Sequence, residues 1–169
     1  MFKILVVEDD KELNRTVCSF LNSSGYEATG CLNATEAYDA LYENLFDLIV
    51  SDIMMPGVDG FEFAKSVREL NEEIPILFMT ARDDIASKQR GFRIGVDDYM
   101  VKPVDLDELF LRIGALLRRA KIASERKIKI GLFLFLTSSI VIQPEPGFVV
   151  LKFHFCKETI NIYRVKFLA

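Results

Sequence analysis

Short apolar runs alternate with amphipathic stretches along the first 121 residues. The apolar runs predict five strands, at residues 2–7, 26–29, 46–51, 74–79 and 99–101. Between and after them, apolar residues recur at three- and four-residue spacing, which predicts helices near 13–21, 33–42, 61–70, 84–94 and 106–119. Strands that alternate with helices form parallel sheets covered on both faces. We therefore expect an α/β fold with a doubly wound, five-stranded parallel sheet.

The pattern changes after residue 121. Residues 122–126 have the composition of a linker, and 127–169 contain the alternating segments KIKIGLFLF and FVVLKFHF on either side of a Pro-Glu-Pro-Gly turn at 144–147. Alternation of apolar and polar positions predicts strands and a hairpin. We expect a domain over 1–121, a linker over 122–126 and a short β-rich tail over 127–169.

Charge divides the chain at the same place. Residues 1–121 carry 22 acidic and 14 basic side chains, a net −8, and the remainder carries 3 and 7, so +4, which gives −4 in total. An acidic domain does not attract nucleic acid. The apolar stretch 130–142 is shorter than the ~20 residues of a membrane span, and three scattered cysteines match no metal or disulfide motif. We expect a cytoplasmic protein without a membrane segment.

Chemically capable side chains follow four of the predicted strands. Glu8 and Asp9 follow the first strand, Asp52 the third, Thr80 the fourth and Lys102 the fifth. Because parallel strands end at one edge of the sheet, we expect these side chains to meet there. Three carboxylates require a neutralising cation, and Mg²⁺ or Mn²⁺ suits oxygen ligands. Asp52 could then attack a phosphoryl group, with Lys102 and Thr80 as donors to its oxygens.

Each of these residues alone also fits a structural role. A carboxylate or threonine at a strand end often caps the next helix, and Pro103 after Lys102 favours extended backbone and allows a cis bond. The ordered set as a whole favours phosphoryl chemistry.

Four segments carry a family resemblance: VVEDD at 6–10, SDIMMPGVDGFEF at 51–63, TARDD at 80–84 and GVDDYMVKPVDLDEL at 95–109. Together they resemble the receiver domains of bacterial two-component response regulators, over about residues 2–121. The resemblance implies a flavodoxin-like fold and a phosphoryl group accepted on Asp52 from a sensor histidine kinase. It implies a switch rather than an enzyme, with only self-catalysed transfer to Asp52 and slow autodephosphorylation.

The resemblance also implies roles for individual residues. The metal ligands would be Glu8, Asp9, Asp52 and the backbone carbonyl of Met54, the phosphate contacts Thr80 and Lys102, the switch aromatic Tyr99, and the structural proline Pro103. Six charged residues match the dimerisation face of the OmpR-like subclass: Lys88, Asp97, Asp98, Glu108, Arg112 and Arg119. Opposite charges on one self-complementary face can pair twice across a two-fold axis, so we expect a homodimer on phosphorylation.

The output function stays open at this point. OmpR-like regulators continue into a winged-helix DNA-binding domain, whereas 169 − 121 = 48 residues follow here. The segment RKIKIGLFLF resembles its opening strands, but no basic recognition helix follows. One interpretation is a transcriptional regulator by descent with a truncated or disrupted output domain, and the alternative is a stand-alone receiver that signals by protein contacts. We expect no sequence-specific DNA binding by this chain. A haloacid-dehalogenase-type phosphatase is disfavoured because Met54 stands where its second acid is needed.

Overall fold

A computed structural model describes the backbone of residues 1–137, 139–145, 148–155 and 158–166, and the side chains of residues 1–121. The chain divides into two compact units, Met1–Lys121 and Ile122–Ala169. The elements of the first unit are β1 (Lys3–Val7), α1 (Lys11–Ser23), β2 (Glu27–Cys31), α2 (Ala34–Glu43), β3 (Leu48–Ser51), α3 (Gly60–Leu70), β4 (Ile76–Thr80), α4 (Ile85–Ile94), β5 (Asp98–Val101) and the start of α5 (Leu106–Thr137).

The five strands form one parallel sheet in the order β2-β1-β3-β4-β5. The chain moves from β1 outward to β2 and then returns past β1 to β3, so the winding reverses between β1 and β3. Their register pairs Val7 with Ser51, and the amide of Asp52 donates to the carbonyl of Val7 at 2.9 Å. The residues that follow β1 and β3 therefore lie side by side at the switch point, where open α/β sheets bind ligands.

Apolar side chains cover both faces of the sheet. Along β1, Leu5 and Val7 belong to a core shared with α2 and α3, whereas Ile4 and Val6 belong to a core shared with α1 and α5. This two-sided burial explains why the strands read as continuous apolar runs. It confirms the predicted flavodoxin-like, doubly wound architecture.

Polar caps fix where the helices begin. Asp10, Asp59 and Asp84 accept hydrogen bonds from the first turns of α1, α3 and α4. Asn33 does the same for α2, as predicted, because its side chain accepts from the amide of Glu36. The caps follow the strand ends by two to four residues, except Asp59, which follows β3 by eight, so the caps also set the length of the loops that carry the functional side chains.

The prediction of strands in KIKIGLFLF is wrong. Helix α5 runs without interruption to Thr137, through the predicted linker at 122–126 as well. The residues after Ala120 are mostly lysine, alanine, isoleucine, glutamate and arginine, and the good helix formers among them, with no proline, favour continuation of the helix.

The second unit contains an antiparallel sheet in the order β6-β7-β8. Its strands are β6 (Ser139–Glu145), β7 (Phe148–Phe155) and β8 (Glu158–Lys166). The strand predicted from FVVLKFHF coincides with β7, so the β-rich tail begins at Ser139 rather than at 127. Residues 146 and 147 of the predicted turn lie outside the described residues. No helix in the described part of the chain is both long and apolar enough to cross a membrane.

Candidate metal centre at the carboxyl edge of the sheet

Three carboxylates meet where β1 and β3 end. Glu8, Asp9 and Asp52 each place an oxygen within 4.8 Å of the others. Glu8 is fully buried, Asp52 is 4% exposed and Asp9 is exposed to solvent. The adjacent ends of β1 and β3 bring them together, as the strand order requires. The cluster thus opens to solvent on the side of Asp9 and is closed beneath Glu8.

Lys102, from the loop after β5, reaches across the edge of the sheet to two of these carboxylates. Its Nζ lies 2.7 Å from Asp52 Oδ2 and 2.8 Å from Glu8 Oε1. Burial would lower the pKa of Lys102, but its hydrogen bonds to Asp52 and Glu8 outweigh burial and raise the pKa. The ammonium is therefore held in its charged form. The Lys102–Pro103 peptide bond is cis.

One cation does not balance three carboxylates. Burial raises the pKa of Glu8, and the hydrogen bond from Lys102 opposes that rise. Glu8 Oε2 is buried and forms an ion pair with Lys102 Nζ at 2.7 Å, but among the described residues it accepts no hydrogen bond of good geometry. Three clustered carboxylates that share one ammonium form a donor set that fits a hard divalent cation such as Mg²⁺.

A backbone amide and a side-chain ammonium hold the two carboxylate oxygens of Asp52. The amide of Met54 donates to Asp52 Oδ1 at 3.0 Å, while Lys102 holds Oδ2. Gly60, the first residue of α3, packs so closely that a Cβ built on it would lie 2.2 Å from the carbonyl oxygen of Asp52. Gly60 stands in the motif SDIMMPGVDGFEF, but nothing in its spacing along the chain signals this role.

Thr80 and Tyr99 are joined through the backbone of Arg82. Thr80 is fully buried and its Oγ1 accepts from the amide of Arg82 at 3.4 Å. The hydroxyl of Tyr99 donates to the carbonyl of Arg82 at 2.7 Å. Burial, followed by the charge of Asp84, raises the pKa of Tyr99, and Lys88 Nζ lies 5.8 Å from the centre of its ring. A movement of the loop after β4 would therefore reach both side chains.

Most of the six charged residues predicted for a dimer face have partners within one chain. Arg112 Nη1 donates to both carboxylate oxygens of Asp98 at 2.9 Å, and its Nη2 donates to Glu108 at 2.6 Å. Lys88 pairs with Asp83, while Arg119 is exposed.

Asp97 has a structural partner that the sequence did not reveal. Arg68 on α3 donates to Asp97 Oδ2 and to the carbonyl of Gly95, each at 2.8 Å, and also to the carbonyl of Ile74 at 2.6 Å. Asp97 in turn accepts from the amide of Ile76 at 2.9 Å. Arg68 therefore ties the end of α3 to the loops that precede β4 and β5.

The chain is similar in sequence to a known family and to named proteins. The family model described as "Response regulator receiver domain" matches residues 4–114. The transcriptional regulatory protein RprY of Bacteroides fragilis is 39% identical over 143 residues, 83% of this chain and 61% of that protein. PcoR of Escherichia coli, also named a transcriptional regulatory protein, is 39% identical over 121 residues, 72% of this chain and 54% of that protein.

A solved structure agrees with these matches. The receiver domain of the Francisella response regulator 1452 superposes with a TM-score of 0.67 at 34% identity, covering 70% of this chain and 98% of that one. The chain spans between half and two thirds of the length of the two sequence relatives, 54% and 61%. The family match and the acidic pocket at the switch point agree, and the chain belongs to the response regulator receiver family.

Proposed function

We propose that this chain is a phosphorylation-activated switch of a two-component system, with Asp52 as the residue that accepts a phosphoryl group from a sensor histidine kinase. One observation carries the proposal: Asp52 is buried at the switch point, with Lys102 Nζ at 2.7 Å and two further carboxylates beside it. An isolated structural carboxylate has no need of a partly buried lysine and an acidic pair around it. A nucleophile that must meet a phosphoryl group needs both.

Each residue of the site has a task in this proposal. Glu8, Asp9, Asp52 and the carbonyl of Met54 would hold Mg²⁺, or Mn²⁺, which when bound offsets the charge on phosphoryl oxygens. An oxygen of Asp52 forms the new bond to phosphorus as the donor's nitrogen leaves. Lys102, already charged and within reach of Asp52, turns its ammonium to a phosphoryl oxygen. The site transfers the group only to itself, and autodephosphorylation is slow.

The switch is proposed to run through Thr80 and Tyr99. A phosphoryl group on Asp52 offers the Thr80 hydroxyl a charged acceptor, which is stronger than its present weak contact with the Arg82 amide at 3.4 Å. Because the hydroxyl of Tyr99 donates a hydrogen bond to the carbonyl of Arg82, the loop after β4 and the Tyr99 ring would move together. Phosphorylation would then stabilise the conformer in which both side chains are drawn inward, and Lys88, over the Tyr99 ring, would carry the change to the surface.

Transcriptional regulation is the output that the comparisons favour over stand-alone signalling. The relatives RprY and PcoR are named transcriptional regulatory proteins. The match to RprY spans 143 residues, more than the 121 of the first unit, so it extends beyond Lys121. We propose descent from such regulators, and we expect that residues 127–169 do not bind DNA sequence-specifically. A gel shift with promoter DNA and excess random competitor tests the last point, and a complex that survives the competitor would contradict it.

The phosphorylation site is tested by intact mass after treatment with a small phosphodonor and Mg²⁺. Wild type and Asp107→Asn, a control at an exposed carboxylate on α5, should each gain one phosphate. Asp52→Asn should gain none, because the amide is no nucleophile. Equal phosphorylation of Asp52→Asn and wild type would show that another residue is the acceptor.

The proposed dimer is tested by sedimentation of the phosphorylated protein. The proposed face consists of α4, β5 and α5 and carries Lys88, Asp97, Asp98, Glu108, Arg112 and Arg119. Asp98→Arg should weaken the dimer because it places a second positive charge beside Arg112 on this face, and Arg112→Asp in the same chain should restore the balance of charge and the dimer. A phosphorylated wild type that sediments as a monomer would refute the proposed face.

A further inference from the structure

Asn14 is a buried polar residue that the proposed chemistry does not use. It lies in the first turns of α1, is 6% exposed, and points its amide away from solvent. Its Nδ2 donates to the carbonyl of Glu8 at 3.2 Å and to the carbonyl of Cys31 at 2.9 Å. A buried amide in a helix disrupts an apolar face, so its place here calls for a specific role.

The hydrogen bond from Asn14 to the Glu8 carbonyl holds the peptide group that joins Glu8 to Asp9. Because a peptide unit is planar, fixing the carbonyl oxygen of Glu8 fixes the plane that joins the Cα atoms of Glu8 and Asp9. The amide of Glu8 is held from the other side, since it donates to the carbonyl of Cys31 at 3.0 Å. Asn14 and Cys31 thus hold the backbone on both sides of Glu8. This restricts the conformations of Glu8 to those that place its carboxylate beside Asp52 and Lys102.

A glycine makes room for this arrangement. A Cβ built on Gly30, in β2, would lie 2.1 Å from Asn14 Oδ1, and 3.1 Å from both Asn14 Cγ and the sulfur of Cys18. The backbone of Gly30 does not have a positive φ, so conformation alone does not demand glycine there. Glycine is needed at this position because the side chain of Asn14 fills the space that a Cβ would occupy.

We infer that Asn14 is a positioning residue for the cation site, and that Gly30 is required to seat it. Asn14 touches neither the cation nor the phosphoryl group; it acts through the backbone of Glu8 and Asp9. This inference rests on the proposed function, since it assigns a role towards the Mg²⁺ of that site.

The test measures Mg²⁺ affinity and stability separately in the full chain. MgCl₂ titration followed by amide resonances of residues 8–10 and 52 gives the dissociation constant, and urea denaturation gives the stability. Asn14→Leu keeps the branched shape and the number of side-chain heavy atoms and removes both hydrogen bonds. Partners that orient metal ligands typically change affinity by about 10–100-fold when removed, so the Mg²⁺ dissociation constant should rise by about tenfold or more.

The matched control is Val17→Ala, on the same helix. Val17 is fully buried in the core of that face, so its truncation destabilises the domain without touching the acidic pair. Its Mg²⁺ dissociation constant should stay within about twofold of wild type, as expected of independent sites. An unchanged constant in Asn14→Leu, or an equal rise in Val17→Ala, would overturn the inference.

Gly30 supplies a second, independent test. Gly30→Ala in the wild-type background should weaken Mg²⁺ binding because it displaces Asn14. In an Asn14→Ala background the 2.1 Å collision with Asn14 is gone and only the 3.1 Å contact with Cys18 Sγ remains, so Gly30→Ala should add less than about twofold, a non-additivity expected of residues in contact. Equal effects in both backgrounds would overturn the link between them. If wild type itself shows no Mg²⁺-dependent shifts, the proposed function fails instead.

Discussion

At Gly60 the addition of a single methyl group should disturb the proposed acceptor, Asp52. A Cβ at this position would lie 2.2 Å from the carbonyl oxygen of Asp52 and 2.6 Å from the Cα of Ile53. Both neighbours are backbone atoms at the end of a buried strand, so neither can turn aside. Since carbon and oxygen normally stay about 3 Å apart or more, Gly60→Ala must push α3 or the Asp52 loop away by roughly 1 Å.

The expected cost follows from that displacement. Overpacking a well-filled interior costs about 1–3 kcal/mol, so Gly60→Ala should lower the free energy of unfolding by at least that much. A reacting group misplaced by about 1 Å can lose on the order of a hundredfold in rate. Phosphorylation of Asp52 by a small phosphodonor at saturating Mg²⁺ should therefore slow strongly.

Gly114 provides the matched control in α5. A Cβ there would meet only the tip of Arg118 at 3.3 Å and the hydroxyl of Tyr26 at 3.9 Å. Because alanine is about 1 kcal/mol better than glycine inside a helix, Gly114→Ala should stabilise the protein and leave the phosphorylation rate unchanged. Urea denaturation should separate the two variants by about 2–4 kcal/mol. Gly60→Ala with wild-type stability and rate would refute the close-packing argument.

Two further predictions concern stability. Arg68→Ala should destabilise the protein by about 1–3 kcal/mol in urea denaturation, because it strips charged donors from the carbonyls of Gly95 and Ile74 and from Asp97; exposed Arg93→Ala is the control, and equal effects would contradict the role of Arg68. Burial first, then the charge of Glu36, raises the pKa of Cys31 from 9.0 to about 11. Between these two values the folded state keeps the thiol proton, whereas the unfolded state loses it. That stabilisation is complete below pH 9 and is lost as the pH rises towards 11, up to about 2–3 kcal/mol; Cys31→Ala should show a correspondingly smaller loss of stability over that window, and an identical loss would contradict the assignment.

The sequence was sufficient to predict the sheet because its signals are local. Buried parallel strands appear as apolar runs, and four of the five are followed by residues whose side chains the strand order brings to one edge, as with Asp52 and Lys102. The strand starts were less accurate. Phe46 and Ile74 belong to the apolar runs and pack against the core, yet β3 begins at Leu48 and β4 at Ile76.

Other features depend on contacts between distant segments. The collision that reserves Gly30 for Asn14 joins β2 to α1, and the bonds of Arg68 join α3 to residues 27 positions away; no spacing along the chain signals either one. In KIKIGLFLF the alternation favoured a strand, but the same residues continue α5. A short alternating segment does not distinguish the two when good helix formers precede it.

The internal ion pairs change how the proposed dimer must be stabilised. Asp98 and Arg112 already pair within one chain, so exchanging that pair for one across a two-fold axis adds no new ion pair, and partly exposed pairs contribute little. The same helix faces also carry apolar side chains. Phe92, four residues after Lys88, is 54% exposed, and Leu111, next to Arg112, is 68% exposed. Burying such side chains is worth up to about 1.5–3 kcal/mol each. In the proposed dimer the charges would therefore set the register, while Phe92 and Leu111 would supply most of the free energy of association.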